Sequence, residues 1–381
     1  MIYFDNSATT KPKDAVLETY TKVAQHYFAN PSSLHRLGGK VDELLTEARK
    51  QIASMLAVKP AEIIFTSGGT ESNNLAIKGI ARAYRARGNH IITSSIEHPS
   101  VREVMQELET EGFQVTYLPV DKDGRVSPSD VKAAITPETT LVSIMYVNNE
   151  VGSIQPIQAI GEILEKYEQI KFHVDNVQGI AKVPLDIEDA HIDLLSISGH
   201  KIHAPRGIGI LYKHEKVSLH PEMLGGGQEN GLRSGTSNVA GAVAFAKALR
   251  LAFDEEKAKA GDLREVNKYL REQLTDIPAI TIHTPAENAA PHILCFTVAG
   301  KQRGEVIVHA LEKKDIYIST TSACSSRQKL ASSTLKAMGV SDNEATGAVR
   351  VSLSYENRWS EAKVFIEALQ EVIENLNKVV K

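Results

Sequence analysis

Two stretches of this chain place reactive side chains at the ends of apolar runs. In KFHVDNVQG the carboxylate of Asp175 closes one run, with Gln178 three residues on, and in LLSISGHKIHAPRGIG the residues Ser198, His200 and Lys201 close another. Strand ends of this kind form the edge where open α/β sheets bind ligands. A lysine whose site lowers its pKa can form a Schiff base there. Far upstream, TSGGTESNN at 66–74 lies between the strand-like EIIF and the helix-like NNLAIKGIARAY. A Gly-Gly-Thr turn at a helix start offers unpaired backbone amides and the positive end of the helix dipole, which suits a phosphate. Thr70 and Ser72 would also serve as ordinary helix caps. Taken together, a carboxylate for a pyridinium nitrogen, an amine for an aldehyde and a turn for a phosphate form the layout of a pyridoxal phosphate site.

The chain holds only two cysteines, Cys295 and Cys324, which leaves no disulfide framework and no paired CxxC metal site. Cys295 sits in the apolar run HILCFTV, where a cysteine acts as a small buried hydrophobe. Cys324 sits in the polar stretch STTSACSSRQKLASS, which reads as an exposed loop running on to Gly339. A thiol in such a loop can travel, although a surface thiol of no consequence reads equally well from this stretch alone. His200 and His203 have the spacing of half a zinc site but lack a second ligand pair, so no metal is expected. The run GGGQENG has no strand directly before it, which argues against a dinucleotide fingerprint.

The elements that must position these residues alternate. EIIFTS, HIITSS, QVTYLPV, TLVSIMYV, KFHVDNV, LLSISGH and IGILY read as strands, several without polar alternation, as in a mostly parallel sheet covered on both faces. SVREVMQELETEG and AIGEILEKYEQI have helical spacing between them. The fold class is α/β. A charged segment, DEEKAKAG, begins a long helical pattern after which HILCFTV, AVRVSLSY and a closing helix complete the chain. We expect a large domain over 13–255 and a smaller α/β domain over 256–381, against which residues 1–12 pack.

With 381 residues, 42% hydrophobic and 24% charged, the composition is that of a globular protein of two domains. A net charge of -4 gives no general attraction for nucleic acid or an anionic membrane. The start MIYFDNSATTKP resembles no secretion signal and no stretch has a membrane span's length of apolar residues, so a cytoplasmic enzyme is expected.

The motifs YFDNSATT, NPSSLH, TSGGTESNN, IEHPSV, VNNEVG, HVDNVQG, SGHKIHAPRGIG, GGGQENGLRSGTSN and TSACSS resemble, across essentially the whole chain, the class V aminotransferase-like family of PLP fold type I. Within it they are similar to the cysteine desulfurases of the NifS/IscS type. The resemblance implies that Lys201 holds pyridoxal 5'-phosphate, His98 stacks on its ring, Asp175 pairs with the ring nitrogen and Gln178 bonds the ring hydroxyl. It assigns the phosphate to Gly69, Thr70, Ser198 and His200, and makes Thr236 reach the phosphate of a neighbouring subunit, hence a homodimer with shared active sites. Asn149 and Arg350 resemble the residues that orient L-cysteine and bind its carboxylate, a task suited to a planar guanidinium.

The implied reaction gives alanine and a persulfide on Cys324, with His98 assisting proton transfer near the substrate thiol. The long loop implies delivery to an acceptor protein, such as an iron-sulfur scaffold or a tRNA-thiolating enzyme. Because the thiolate is the nucleophile, activity should fall below the pKa of Cys324. Gly69, Asn176 and Ala204 depart from the residues usual in relatives, and none of these changes removes a functional group. The alternatives are another enzyme of the same fold, a selenocysteine lyase or aminotransferase, or a non-catalytic binding module.

Overall fold

The computed structural model describes residues 1–300, 303–321 and 331–379. The chain opens on a short strand, β1 (Ile2–Tyr3), and then builds a central sheet from β2 (Ile63–Thr66), β3 (His90–Ser94), β4 (Gln114–Leu118), β5 (Thr139–Met145), β6 (Lys171–Asp175), β7 (Leu194–Ser198) and β8 (Gly209–Lys213). Their spatial order is β2-β8-β7-β6-β5-β3-β4. Only β8 runs against its neighbours, pairing antiparallel with both β2 and β7. Every other pairing in this sheet is parallel.

Burial on both faces explains these apolar runs, except at the edge strand β4, where Gln114 and Tyr117 are exposed. Neighbouring residues in a strand point to opposite sides. Ile63, Ile92, Val142, Leu195 and Ile210 enter one core. Their neighbours Ile64, Ile91, Leu141, Leu194 and Leu211 enter another, with Leu75, Ile77 and Ile80 of the helix Gly69–Ala83 and Val101 and Leu108 of the helix Pro99–Thr110. With apolar positions on both faces, polar alternation disappears.

A second sheet, of β9 (Ile280–Ile282), β10 (Ile293–Val298), β12 (Ser319–Thr320) and β13 (Ala348–Ser352), is antiparallel in the order β12-β13-β10-β9. The strand β11 (Ile316–Tyr317) pairs with β1, which ties the first residues to this region. Phe4, Leu294, Phe296, Val349, Val351 and Phe365 share its core with the closing helix Trp359–Val379.

Two local expectations change. The helix expected to begin at DEEKAKAG is one continuous element, Val239–Thr275, whose residues up to Ala252 pack in the first core and from Leu263 in the second. The loop expected to run to Gly339 contains the helix Ser333–Ala337, capped by the Ser332 hydroxyl accepting from the Leu335 amide and anchored by buried Leu335.

Candidate active site

The parallel strands bring their C-terminal ends to one edge, and a cavity of about 670 Å³ opens there. It is lined by Gly69, Thr70, His98, Asn149, Asp175, Gln178, Ser198, His200, Lys201 and Arg350 among others. Residues more than a hundred positions apart thus meet because each follows a strand of the same polarity. Arg350 is the exception in origin, coming from β13 of the second sheet.

The phosphate-type turn is built on glycine. Gly68 caps the helix Gly69–Ala83 with φ 153° and ψ -176°, backbone angles essentially reserved for glycine. Thr70 and Ser72 are therefore not the cap but lie inside the first turn. The first bond back along this helix runs from the Ser72 amide to the Gly68 carbonyl, so the preceding amides point out of the helix end. A Cβ on Gly69 would lie 2.7 Å from Val177 Cγ2 and 3.4 Å from Ser198 Cβ. Glycine there lets the helix end come close to Ser198. His200 adds a neutral imidazole, its pKa pushed down to about 4 by burial and then by Lys201, Arg206 and His98.

Asp175, buried at the end of β6, accepts from the Asn73 side-chain amide at 2.8 Å and from the Val177 backbone amide at 3.0 Å. Lys201 ends the short 3-10 turn Gly199–Lys201 that follows β7. Its amine donates to the carbonyl of Ser7 and, at 2.9 Å, to that of Ala8. The Gln178 side-chain amide also donates to the Ser7 carbonyl, at 3.0 Å.

His98 caps the helix Pro99–Thr110, its Nδ1 accepting from the Ser100 amide at 3.1 Å. Burial lowers its pKa, with Lys201 and Arg102 acting the same way and Asp175 opposing. Neighbouring Glu97 is buried and lines the cavity. Its Oε1 accepts from the Ser94 hydroxyl at 2.5 Å and from the Met145 amide at 3.0 Å, and burial pushes its pKa up to about 8.

Arg350 donates to the Asn149 carbonyl at 2.8 Å, to Ser319 Oγ at 2.8 Å and to Asp5 at 3.1 Å. Its buried Nε has no hydrogen-bond partner among the described residues.

The chain matches the family described as aminotransferase class-V over residues 2–365. It belongs to that family. It is 54% identical to a "NifS/IcsS protein homolog" of Lactobacillus delbrueckii subsp. bulgaricus, over 100% of this chain and 99% of that protein. It is 40% identical to "Cysteine desulfurase IscS" of Dictyoglomus turgidum, over 99% and 96% of the two chains. A solved structure described as a "NIFS-like protein" superposes with a TM-score of 0.91 at 38% identity, covering 99% of each chain. Within the class-V family the chain is thus of the NifS/IscS cysteine desulfurase type.

One described residue expected in this family's site, Thr236, does not line the cavity. Thr236 is exposed, on a segment that Arg233 ties to Glu71 of the phosphate-turn helix by hydrogen bonds of 2.7 and 3.2 Å. Cys324 lies outside the described residues. The segment that resumes at Ala331 is held at the cavity by Glu150, which accepts from Ser332 at 2.5 Å and from Thr334 at 2.9 Å. Cys295 is fully buried in β10, facing Val151, Leu335 and Met338, and burial drives its thiol pKa far up. Sequence reasoning missed Ser7, Ala8, Asn73, Glu97, Ser100 and Glu150. The two carbonyls carry no side-chain signal, whereas Asn73, Glu97 and Ser100 stand inside quoted motifs beside residues that drew the attention.

Proposed function

We propose that this chain is a pyridoxal-phosphate-dependent cysteine desulfurase that converts L-cysteine to L-alanine and transfers the sulfur to Cys324 as a persulfide. The observation that carries this reading is the convergence of Lys201, Asp175 and the amide-rich end of helix Gly69–Ala83 on one cavity. The cavity's chemistry fits the cofactor. The helix end, Gly69, Thr70, Ser198 and His200 would hold its phosphate, Asp175 its ring nitrogen, Gln178 its ring hydroxyl, His98 its ring face and Lys201 its aldehyde carbon. Bound there, pyridoxal phosphate supplies an electron sink that allows an amino acid to lose its Cα proton.

The remaining work falls to the chain's own residues. Arg350 and Asn149 bind and orient the substrate carboxylate, and Lys201 Nζ takes the Cα proton. His98 handles the proton of the substrate thiol. The Cys324 thiolate forms a bond to the substrate sulfur as the carbon-sulfur bond breaks. Cysteine plus a thiol gives alanine plus a persulfide, which balances without any outside oxidant.

We read the protein as a homodimer in which Thr236 completes the partner's phosphate site. Its exposure supports this, as do the exposed apolar side chains of Phe28, Leu34 and Leu224. The persulfide then passes to an acceptor protein, of the iron-sulfur scaffold or tRNA-thiolating kind. We divide the chain into units 13–255 and 256–381 with 1–12, a division supported by the separate cores at the two ends of helix Val239–Thr275.

The deciding experiment incubates wild type and Cys324→Ala with L-cysteine in the absence of reductant. Alanine release in step with one added sulfur on Cys324, seen in the wild type alone, is the expected result. Alanine from both proteins with persulfide on neither would replace this reading with a related lyase of the same fold.

A further inference from the structure

A continuous chain of hydrogen bonds, buried except at its part-buried last link to His98, joins the residue assigned to the ring nitrogen with the one assigned to the ring face. Asn73 Nδ2 donates to Asp175 Oδ2 at 2.8 Å and to Ser100 Oγ at 2.9 Å. Ser100 Oγ lies 2.8 Å from His98 Nδ1. Asn73, Ser100 and Asp175 are all buried, so water offers these groups little alternative.

The direction of each bond follows from counting hydrogens. A carboxylate only accepts, so the Asn73 atom facing Asp175 must be the NH2 group, and the same group supplies Ser100. Ser100 Oγ, already accepting, has its single hydrogen for His98 Nδ1. The Ser100 backbone amide points at the same nitrogen from 3.1 Å. Two donors converging on Nδ1 leave no room for a proton there. The ring must carry its hydrogen on Nε2.

We propose that Asn73 is a positioning residue that, through the Ser100 hydroxyl, couples the orientation of the Asp175 carboxylate to the tautomer of His98, holding the imidazole neutral with its proton on Nε2. The proposal rests on the functional reading above for its catalytic meaning, since it leaves His98 with a donor at Nε2 and no free acceptor until that proton is given up. The charged and titratable groups acting on the ring are Asp175, Lys201, Arg102 and His200. Of these, only Asp175 is linked to the ring by the chain of hydrogen bonds traced here. An aliphatic side chain in place of Asn73 would remove one of the two hydrogen bonds named on the Asp175 carboxylate, leaving that from the Val177 amide, and would free the Ser100 hydroxyl to rotate.

The test uses enzyme purified with its cofactor and labelled with nitrogen-15 in histidine, the His98 signals being assigned by their loss in His98→Gln. In the wild type, Nδ1 should resonate as an unprotonated nitrogen and Nε2 as a protonated one across the neutral range. In Ser100→Ala and Asn73→Ala the two resonances should move toward each other as an Nδ1-protonated population appears, and Ser100→Thr should restore the separation. Activity against pH, measured on the same folded variants, should shift its acid limb in the first two and not in the third. A proton on Nδ1 in the wild type would overturn the proposal, as would unchanged His98 resonances in both Ser100→Ala and Asn73→Ala. Because the resonances are read without turnover, failure of the tautomer lock is distinguishable from failure of the desulfurase reading, which the alanine and persulfide measurement decides alone.

Discussion

The Lys201 amine donates to the main-chain carbonyl of Ala8 at 2.9 Å, so the site's lysine is held by a segment nearly two hundred residues away in sequence. That segment joins β13 of the second sheet through the Asn6 amide, which donates to the Ser352 carbonyl, and then crosses to the strand ends of the first. The two sheets and the reactive amine are thereby mechanically linked. Asp5, which pairs with Arg350 at 3.1 Å, adds that cavity-lining guanidinium to the same link.

Thr10 locks the far end of this crossing. Its hydroxyl donates to the His200 carbonyl at 2.9 Å and accepts from the buried His203 amide at 2.8 Å. Thr10→Val keeps the shape and strands that amide without its acceptor, which costs about 1–3 kcal/mol. Chemical denaturation should show a loss of this size, together with weaker retention of cofactor on dialysis. An unchanged midpoint would mean that the crossing does not depend on this hydroxyl.

What the sequence showed of the fold was the part governed by short-range pattern. Seven apolar runs became the seven strands of the central sheet, six of them buried on both faces and the edge strand β4 largely exposed. Asp175 and Lys201 were legible because reactive side chains interrupt those runs at their ends. The cap at Gly68 was not, since its cost is conformational and Thr70 and Ser72 are better caps by composition. The continuity of helix Val239–Thr275 was hidden by its charged middle, where the chain passes from one core to the other and buries little. The Ser7 and Ala8 carbonyls were invisible, because any residue type supplies a carbonyl.

The two cysteines should separate cleanly by reagent. Cys295 is fully buried, and burial raises its thiol pKa, so it is neither reachable nor ionised in the folded protein. Alkylation of the native wild type should place one label per chain, on Cys324, and none on Cys324→Ala until denaturant is added. Intact-mass measurement followed by peptide mapping checks this. A label on Cys295 in the folded variant would contradict the packing of β10.

Gly69 and Val177 form a matched pair. Since a Cβ at position 69 would meet Val177 Cγ2 at 2.7 Å, Gly69→Ala forces Val177 aside, and the Val177 amide is a partner of Asp175 at 3.0 Å. Overpacking of this kind costs about 1–3 kcal/mol. The single substitution should lower both stability and affinity for the cofactor. Gly69→Ala with Val177→Ala should recover part of the loss, giving a coupling in a double-mutant cycle well outside additivity. Additive effects would mean that the helix end moves as a body instead.

Glu97 sets a pH dependence of stability with a definite sign. Burial pushes its folded pKa up to about 8 from the ordinary 4.5, the hydrogen bonds from Ser94 and Met145 opposing and Asp175 reinforcing. The folded protein therefore keeps a proton that the unfolded chain releases above about pH 4.5. Its contribution is fully present below that pH, declines as pH rises and is gone above about pH 8. Glu97→Gln keeps the acceptor for Ser94 and Met145 but cannot ionise. The unfolding free energy of the variant relative to wild type, from chemical denaturation, should accordingly climb from pH 5 to pH 8 and level off beyond, with a total span on the order of a few kcal/mol. A difference that stays flat over this range would place an ionised carboxylate at position 97. Asp175 would then share the strand-end cavity with a second negative charge.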